Sequence, residues 1–160
     1  MSSSDPTGTH AALPATAPIE LIAPGSSVGV DLVEVARIAR LTARPGGLTS
    51  FLTPGELDYC CSRPRPDEHI AGRFAAKEAV LKALGTGRAG AIRWTDVEVL
   101  NDAAGRPIVH LHGACAARAR DFALLSLAIS ISHTAHLAIA HAVAAWRADP
   151  PTPEQERPDA

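Results

Sequence analysis

Residues 72 to 87 read GRFAAKEAVLKALGTG, and this stretch predicts a helix that ends at a Gly-Thr-Gly turn. Glu78 and Lys82 are four residues apart, so their side chains lie on one face of that helix, one turn apart. Arg73 adds a second cation. A solvated ion pair is the simplest interpretation of the Glu78 and Lys82 spacing, and it would contribute only roughly 0.2–0.5 kcal/mol.

A second acidic residue, Asp31, accompanies a short predicted strand formed by Val28, Val30 and Leu32. The pattern places Asp31 where the strand gives way to a helix. One interpretation makes it a helix N-cap, with Glu34 completing a capping box. The other makes it the second carboxylate ligand of a divalent cation whose first ligand is Glu78. Mg²⁺ suits such a pair, because it binds one or two carboxylates and completes its octahedron with water and substrate phosphates.

The rest of the chain predicts mainly antiparallel strands. Alternating residues on both sides of an Asn-Asp-Ala-Ala-Gly turn form a hairpin, an alanine-rich and arginine-rich helix follows, and two further alternating runs form a second hairpin around Ser-His-Thr. These elements fall at residues 96–112, 113–122 and 125–143. The sequence therefore predicts an α+β fold, a mostly antiparallel sheet packed on one long helix.

Three arginines lie on the helix that follows Asp31. Arg37, Arg40 and Arg44 are three and four residues apart, so they form one stripe, while Val35 and Ile38 face largely the other way. Such a stripe is usually a solvated surface. It is also a patch of one sign that can steer an acidic protein partner.

Composition sets the domain limits. The chain has 160 residues, 46% of them hydrophobic, which is enough for one domain with its own core. Residues 1–27 and 148–160 are rich in proline and predict flexible extensions on either side of a domain at 28–147. The N-terminal extension holds no Lys or Arg and no apolar h-region, so we do not expect a secretory signal.

The charge and cysteine content limit the possible partners and location. Residues 28–147 carry 14 Lys and Arg against 11 Asp and Glu, and this small excess does not indicate nucleic acid binding. No apolar run is long enough to span a membrane. The three cysteines, an adjacent pair and a single one, do not form a disulfide framework and favour a cytoplasmic location.

Five segments resemble, in chain order, the motifs of the holo-acyl-carrier-protein synthases, the small phosphopantetheinyl transferases. They are GVDLVEVARI, FLTPGELDYC, GRFAAKEAVLKALGTG, DVEVLNDAAGRPIVHLHG and ISISHTAHLAIA, and together they cover about residues 28 to 145. The resemblance implies transfer of 4′-phosphopantetheine from coenzyme A to a serine of an acyl carrier protein, with release of adenosine 3′,5′-bisphosphate. It also implies a homotrimer with each coenzyme held between adjacent subunits.

The resemblance gives roles to individual residues. It implies that Asp31 and Glu78 bind Mg²⁺ and that these two residues act in catalysis with Lys82, which lies beside the coenzyme phosphates. Coenzyme contacts are implied for Arg73, Lys82, His133 and Thr134, and carrier protein contacts for Arg37, with Arg40 and Arg44 beside it. One departure concerns Thr49 and Ser50, where members of the family commonly have an arginine.

Several alternatives stay open at the level of sequence. The serine proton can pass to Glu78 or to a metal-bound water. The carrier protein can belong to fatty acid, polyketide or other secondary-metabolite synthesis. Two other classes of protein fit parts of the pattern: a coenzyme A binding module without turnover, and a structural trimeric subunit of a larger synthase.

Overall fold

The computed structural model describes residues 25–86 and 91–147. Most of the two predicted extensions and Gly87 lie outside the described residues. The elements in chain order are β1 (Ser26–Glu34), α1 (Val35–Thr42), α2 (Pro54–Cys61), α3 (Pro66–Ala83), a short 3-10 helix (Trp94–Asp96), β2 (Val97–Asn101), β3 (Pro107–Leu111), α4 (Gly113–Asp121), β4 (Leu124–His133) and β5 (Leu137–Trp146).

Helix α3 is the centre of the core. It has 18 residues, and 13 of them are buried, because the β1-β5-β4 sheet, α1, α2 and β2 all pack against it. A helix enclosed in this way needs small or apolar residues on almost every side, which explains the repeated alanines of the FAAKEAVLKAL segment. No helix within the described ranges is long and apolar enough to cross a bilayer.

The antiparallel sheet lies unusually close to α3. Strand β5 presents a row of buried alanines to the helix, at positions 138, 140, 142 and 144. Gly29 of β1 faces the same helix, and a Cβ there would lie 2.0 Å from the carbonyl oxygen of Ala79 and 2.8 Å from the amide nitrogen of Ala83. Only glycine permits this approach. The Ser27 hydroxyl donates a hydrogen bond to the Ala83 carbonyl beside it.

The opposite face of the same sheet is exposed. Large apolar side chains of β1 and β5 face away from α3, with Leu125 at the start of β4, and no other described element covers them. The most exposed are Val28, Val30, Leu32, Leu125, Leu137 and Val143. The rest of β4 presents small residues on this face: Ser126, Ala128, Ser130 and Ser132.

The β2–β3 hairpin is joined to α3 by a buried ion pair. Nζ of Lys77 lies 2.8 Å from Oε2 of Glu56 in α2, and neither side chain is exposed. Lys77 also donates to the carbonyls of Trp94 and Val97, while Glu56 accepts from the amides of Thr53 and Val99 at 2.8 and 2.9 Å. Both charges therefore have hydrogen-bond partners, the condition under which a buried pair is tolerated.

The predicted α+β fold is confirmed, and so are both hairpins and the helix between them. The central helix begins at Pro66, six residues before the stretch quoted above, and β1 begins at Ser26. The interpretation of Asp31 as a helix N-cap is wrong. Strand β1 continues to Glu34, so Asp31 is a mid-strand residue and does not cap α1. Glu34 is itself the N-cap, without a side-chain hydrogen bond, because pairing with β5 extends the strand.

Replacing Lys77 by methionine should destabilise the fold far more than the same change at Lys82 of the same helix. The K77M variant leaves the Glu56 carboxylate buried without its counter-ion, at a cost of about 3–5 kcal/mol. The K82M variant removes only a half-exposed pair worth less than about 1 kcal/mol. Urea unfolding of both variants measures the difference. Adding Glu56→Gln to K77M should recover part of the loss, and equal losses in K77M and K82M would contradict this role for the buried pair.

Candidate active site

Asp31 and Lys82 form the first charged cluster. Ser27, Gly29 and Asp31 alternate along β1, so all three face α3. Nζ of Lys82 lies 2.9 Å from Oδ1 of Asp31 and donates to the carbonyl oxygen of Val30 at 2.7 Å. Lys82 thus pairs with Asp31 and with the backbone of β1.

Glu78 belongs to the same end of α3. It is half-buried and lies one turn before Lys82 on the same helix face. Asp31 contacts Lys82, and Glu78 lies one turn before Lys82, so both predicted metal ligands are neighbours of the Lys82 side chain.

The chemistry of this cluster fits a hard divalent cation. Both acidic side chains offer carboxylate oxygens, the donor type that Mg²⁺ prefers. Within the described parts of the chain no group of three or more His, Cys, Asp or Glu residues is arranged to hold a metal. An ion between Asp31 and Glu78 would accordingly take its other ligands from water and from a substrate, as Mg²⁺ does at phosphate sites.

A second cluster lines a cavity of about 180 Å³ near the other end of α3. The cavity lies between α2, α3, the β2–β3 turn and the end of β4. It brings together the predicted coenzyme contacts Arg73 and His133. Its polar and aromatic lining consists of Tyr59, His69, Arg73, Asn101 and His133.

Arg73 is a buried cation in the wall of this cavity. It is only 4% exposed, its guanidinium lies 4.4 Å from the centre of the Tyr59 ring, and it donates to Oδ1 of Asn101. Its Nε has no hydrogen-bond partner. A buried N–H without a partner costs about 1–3 kcal/mol. The cavity itself, with a cation in its wall, favours an anionic ligand.

His133 lies at the end of β4 and has one acidic neighbour, Glu68, and one aromatic neighbour, His69. Its Nδ1 lies 3.2 Å from Oε2 of Glu68, and the His69 ring meets it edge-on at 4.9 Å between centroids. Burial lowers the pKa of His69, and the positive charges of His133, Arg63 and Arg73 lower it further. This effect indicates a positive potential in the cavity.

Thr134 has a structural task in addition to its predicted coenzyme contact. Its hydroxyl oxygen accepts from the amides of His136 and Leu137 at 3.3 and 3.2 Å, which shapes the turn between β4 and β5. The side chain is exposed at the mouth of the hairpin.

The two clusters face opposite directions. Arg73 and Lys82 are nine residues apart on α3, which corresponds to about 13 Å along the axis and about half a turn around it. One chain therefore does not bring all of the predicted coenzyme contacts into a single cleft. It presents the Asp31, Glu78 and Lys82 cluster on one side and the Arg73 and His133 cavity on the other.

The three predicted carrier-binding arginines share a groove. Arg37, Arg40 and Arg44 line it together with Leu41 and Phe74, and its volume is about 270 Å³. Helix α1 ends at Thr42, so Arg44 reaches the groove from the turn that follows. All three arginines are exposed.

Sequence reasoning missed Lys77, Glu56, Tyr59 and Glu68. The Thr-Pro-Gly-Glu sequence before α2 carried a usable signal, since it forms the capping box that orients Glu56. A lysine enclosed by Phe, Ala and Val residues was a signal for Lys77. Cys60 and Cys115 are not reactive groups, because burial raises the pKa of each thiol to about 11.

Comparison with known proteins defines the class. The 4′-phosphopantetheinyl transferase superfamily matches residues 27–140, and the chain belongs to this family. The holo-[acyl-carrier-protein] synthase of Chlorobium limicola is 48% identical over 120 residues, which are 72% of this chain and 90% of that protein. That of Geobacter sulfurreducens is 42% identical over 115 residues, 70% of this chain and 90% of that protein.

Solved structures agree with the sequence relatives. The crystal structure of holo-[acyl-carrier-protein] synthase from Neisseria meningitidis matches with a TM-score of 0.68 and 32% identity, covering 74% of this chain and 96% of that one. The Helicobacter pylori enzyme in complex with coenzyme A matches with a TM-score of 0.64 and 33% identity, covering 74% and 98%. The family resemblance drawn from the motifs is thereby confirmed.

Proposed function

We propose that this chain is a holo-acyl-carrier-protein synthase that transfers 4′-phosphopantetheine from coenzyme A to a serine of an acyl carrier protein. The observation that carries this function is the buried cation of Arg73 in the wall of a cavity that His69 and His133 also line, on a chain of the phosphopantetheinyl transferase family. Coenzyme A supplies the anionic groups that such a cavity binds. Adenosine 3′,5′-bisphosphate is the leaving group.

The reaction exchanges one phosphorus–oxygen bond for another. The serine oxygen bonds to the phosphorus that carries pantetheine, the bond from that phosphorus to the bisphosphate breaks, and the serine proton is released. Asp31 and Glu78 would hold Mg²⁺, which when bound neutralises charge on the diphosphate. Lys82 offsets the negative charge that grows on the departing bisphosphate, and Arg73 with His133 binds the rest of that group.

Lys82 can leave its ion pair with Asp31 and bind a phosphate of the substrate. Its side chain is 48% exposed, and an ion pair of this kind with Asp31 contributes less than about 1 kcal/mol. With Mg²⁺ held by Asp31 and Glu78, Asp31 would no longer need the ammonium as its counter-charge, and Lys82 would turn to a phosphate at little cost. The neighbouring Lys77 is fully buried and cannot do so.

The geometry supports a site shared between subunits of a homotrimer. The two clusters lie on opposite sides of α3, so a coenzyme bound to both has to lie between two chains. The exposed apolar side chains of the sheet form the kind of surface that subunits of an oligomer bury against one another. A closed ring of three copies uses the same pair of surfaces three times and leaves neither exposed.

The arginine groove supports docking of the carrier protein. Arg37, Arg40 and Arg44 give it positive charge, while Leu41 and Phe74 give it an apolar floor. An acidic partner gains both steering and contact area from this combination. Phe74 follows Arg73 on α3, so the groove adjoins the residues that bind coenzyme.

Incubating the chain with coenzyme A, Mg²⁺ and a panel of carrier proteins, read by the intact mass of each carrier, tests the function. Asp31→Ala and Glu78→Ala should each lower turnover by roughly hundredfold or more, because either change removes a ligand of the same ion. The double variant should be little worse than the worse single one, as for groups that act as a unit. Asp58→Ala, which removes an exposed carboxylate on α2, is the matched control. Binding of coenzyme A without any mass change in a carrier would instead indicate a binding module.

Two inactive variants should restore activity to each other if the site is shared. Co-expression of Asp31→Ala with Arg73→Gln yields trimers in which about one quarter of the interfaces combine two intact halves. Co-expression of Asp31→Ala with Glu78→Ala is the control, because both changes damage the same half and no intact interface can form. Light scattering should report about three times 16.6 kDa. The shared site would be contradicted if the mixture of Asp31→Ala with Arg73→Gln were as inactive as the control mixture. A monomer with full activity would also contradict it.

Charge reversal in the arginine groove should weaken binding of the carrier protein and leave binding of coenzyme A unchanged. Arg37→Glu should raise KM for the carrier several-fold, with a smaller effect for Arg40→Glu, and leave KM for coenzyme A unchanged. The wild-type KM should rise with salt, since exposed charges are screened over about 10 Å at 0.1 M. Arg120→Glu, an exposed reversal on α4, is the control. A rise in KM for coenzyme A alone would contradict the proposal that this groove binds the carrier protein.

A further inference from the structure

Glu68 is a buried carboxylate beside a cavity that suits an anion. It is 5% exposed, near the first turn of α3. Its Oε1 lies 3.0 Å from Nε of Arg65, and its Oε2 lies 3.2 Å from Nδ1 of His133. A negative charge next to a site for phosphates weakens binding unless it acts through another group.

We propose that Glu68 is a positioning residue that fixes the tautomer and charge of His133, so that Nε2 of this ring donates a hydrogen bond to a phosphate of the coenzyme. The inference rests on the proposed function. It assigns to Glu68 a specific task in the binding of the adenosine bisphosphate part of the substrate.

The tautomer follows from the chemistry of the pair. An ionised carboxylate only accepts hydrogen bonds, so Nδ1 of His133 carries the proton that meets Oε2 of Glu68. In a neutral ring Nε2 then has a lone pair, which repels phosphate oxygens. In the doubly protonated ring Nε2 donates instead, and Glu68 is the counter-ion that stabilises this form.

Other charges around His133 make an acidic partner favourable for its protonated form. Every other ionisable side chain described at the cavity is neutral or basic, and the acidic Asp102 on the adjoining turn is already paired with Arg106 at 2.8 Å. His69 from α3 meets the ring edge-on, and Arg73 from α3 and Tyr59 from α2 line the same cavity. Arg63 stacks on Tyr59, and Arg65 pairs with Glu68. Glu68 is the acidic side chain in contact with this ring, and its two oxygens pair with Arg65 and with His133.

A purely structural role for Glu68 predicts a different pattern. Asp67 and Glu68 both lie in the first turn of α3, where negative charge interacts favourably with the helix dipole. Asp67 is exposed, whereas Glu68 is buried against His133. A helix-end effect would therefore be shared by both acids, and an effect on His133 belongs to Glu68 alone.

The test combines calorimetry with ¹⁵N NMR of the histidine rings, using adenosine 3′,5′-bisphosphate as the probe. Wild-type His133 should show both nitrogens protonated in the complex, with its signals assigned by their loss in His133→Asn. Glu68→Ala should bind the probe roughly tenfold more weakly and lose the fixed Nδ1–H form. Glu68→Gln, which keeps an acceptor but no charge, should retain that tautomer and lose several-fold in affinity. Asp67→Ala should behave as the wild type.

The outcomes separate this inference from the function beneath it. One outcome is that the wild type binds the bisphosphate and both Glu68 variants keep its affinity and its His133 signals. This outcome would overturn the role of Glu68 and leave the proposed function intact. If Glu68→Ala does not fold, the Glu68→Gln result decides alone. Failure of the wild-type chain to bind the bisphosphate would overturn the proposed function together with this inference.

Discussion

The ion pair between Lys77 and Glu56 is the interaction on which the rest of the structure depends. It joins α3, α2 and the start of the β2–β3 hairpin at one point without access to water. Burial lowers the pKa of Lys77, and Glu56 opposes that change, so the charged form of the lysine depends on its partner. Because each charge is also hydrogen-bonded to backbone groups, the pair fixes the rotation of α3 about its own axis. That rotation decides where Arg73, Glu78 and Lys82 point.

Helix α3 supplies residues to both charged clusters. It can do so because other elements surround it on nearly all sides, and different elements meet it at each cluster. Its end near Lys82 meets β1, and its middle near Arg73 meets α2 and the hairpin. The spacing of nine residues between the two cations places them on opposite sides of the helix axis. An enclosed helix can present active groups only where the surrounding elements leave gaps, and here the gaps lie on different sides of the molecule.

Much of the fold was predictable because it follows local rules. Alternating residues and turn sequences gave the hairpins, and the helix that carries Glu78 and Lys82 was recognisable from its composition and its glycine-rich end. The role of Asp31 was harder to place, since pairing with β5 carries β1 past the point where local signals favour a helix. The partner of Lys82 was also hidden, because a cross-strand carboxylate competes with the neighbour one turn away.

The parts that sequence did not predict depend on contacts between distant segments. Tyr59 stacks on Arg73, and Glu68 meets His133, yet neither pair has a spacing that indicates contact. Lys77 differs, since its apolar neighbours on the helix indicated burial although they did not identify Glu56. The family resemblance predicted which residues contact the coenzyme, and only the three-dimensional arrangement showed that Arg73 and Lys82 lie on different faces of α3.

The alanine row of β5 also limits how the chain can change by mutation. Methyl groups at 138, 140, 142 and 144, with Gly29 beside them, leave no space between the sheet and α3. A larger side chain at any of these positions has to displace the helix as a rigid body, because its backbone is the surface in contact. Such a shift would move groups of both clusters at once. Substitutions remote from either cluster would therefore alter the Asp31, Glu78 and Lys82 cluster and the Arg73 and His133 cavity together.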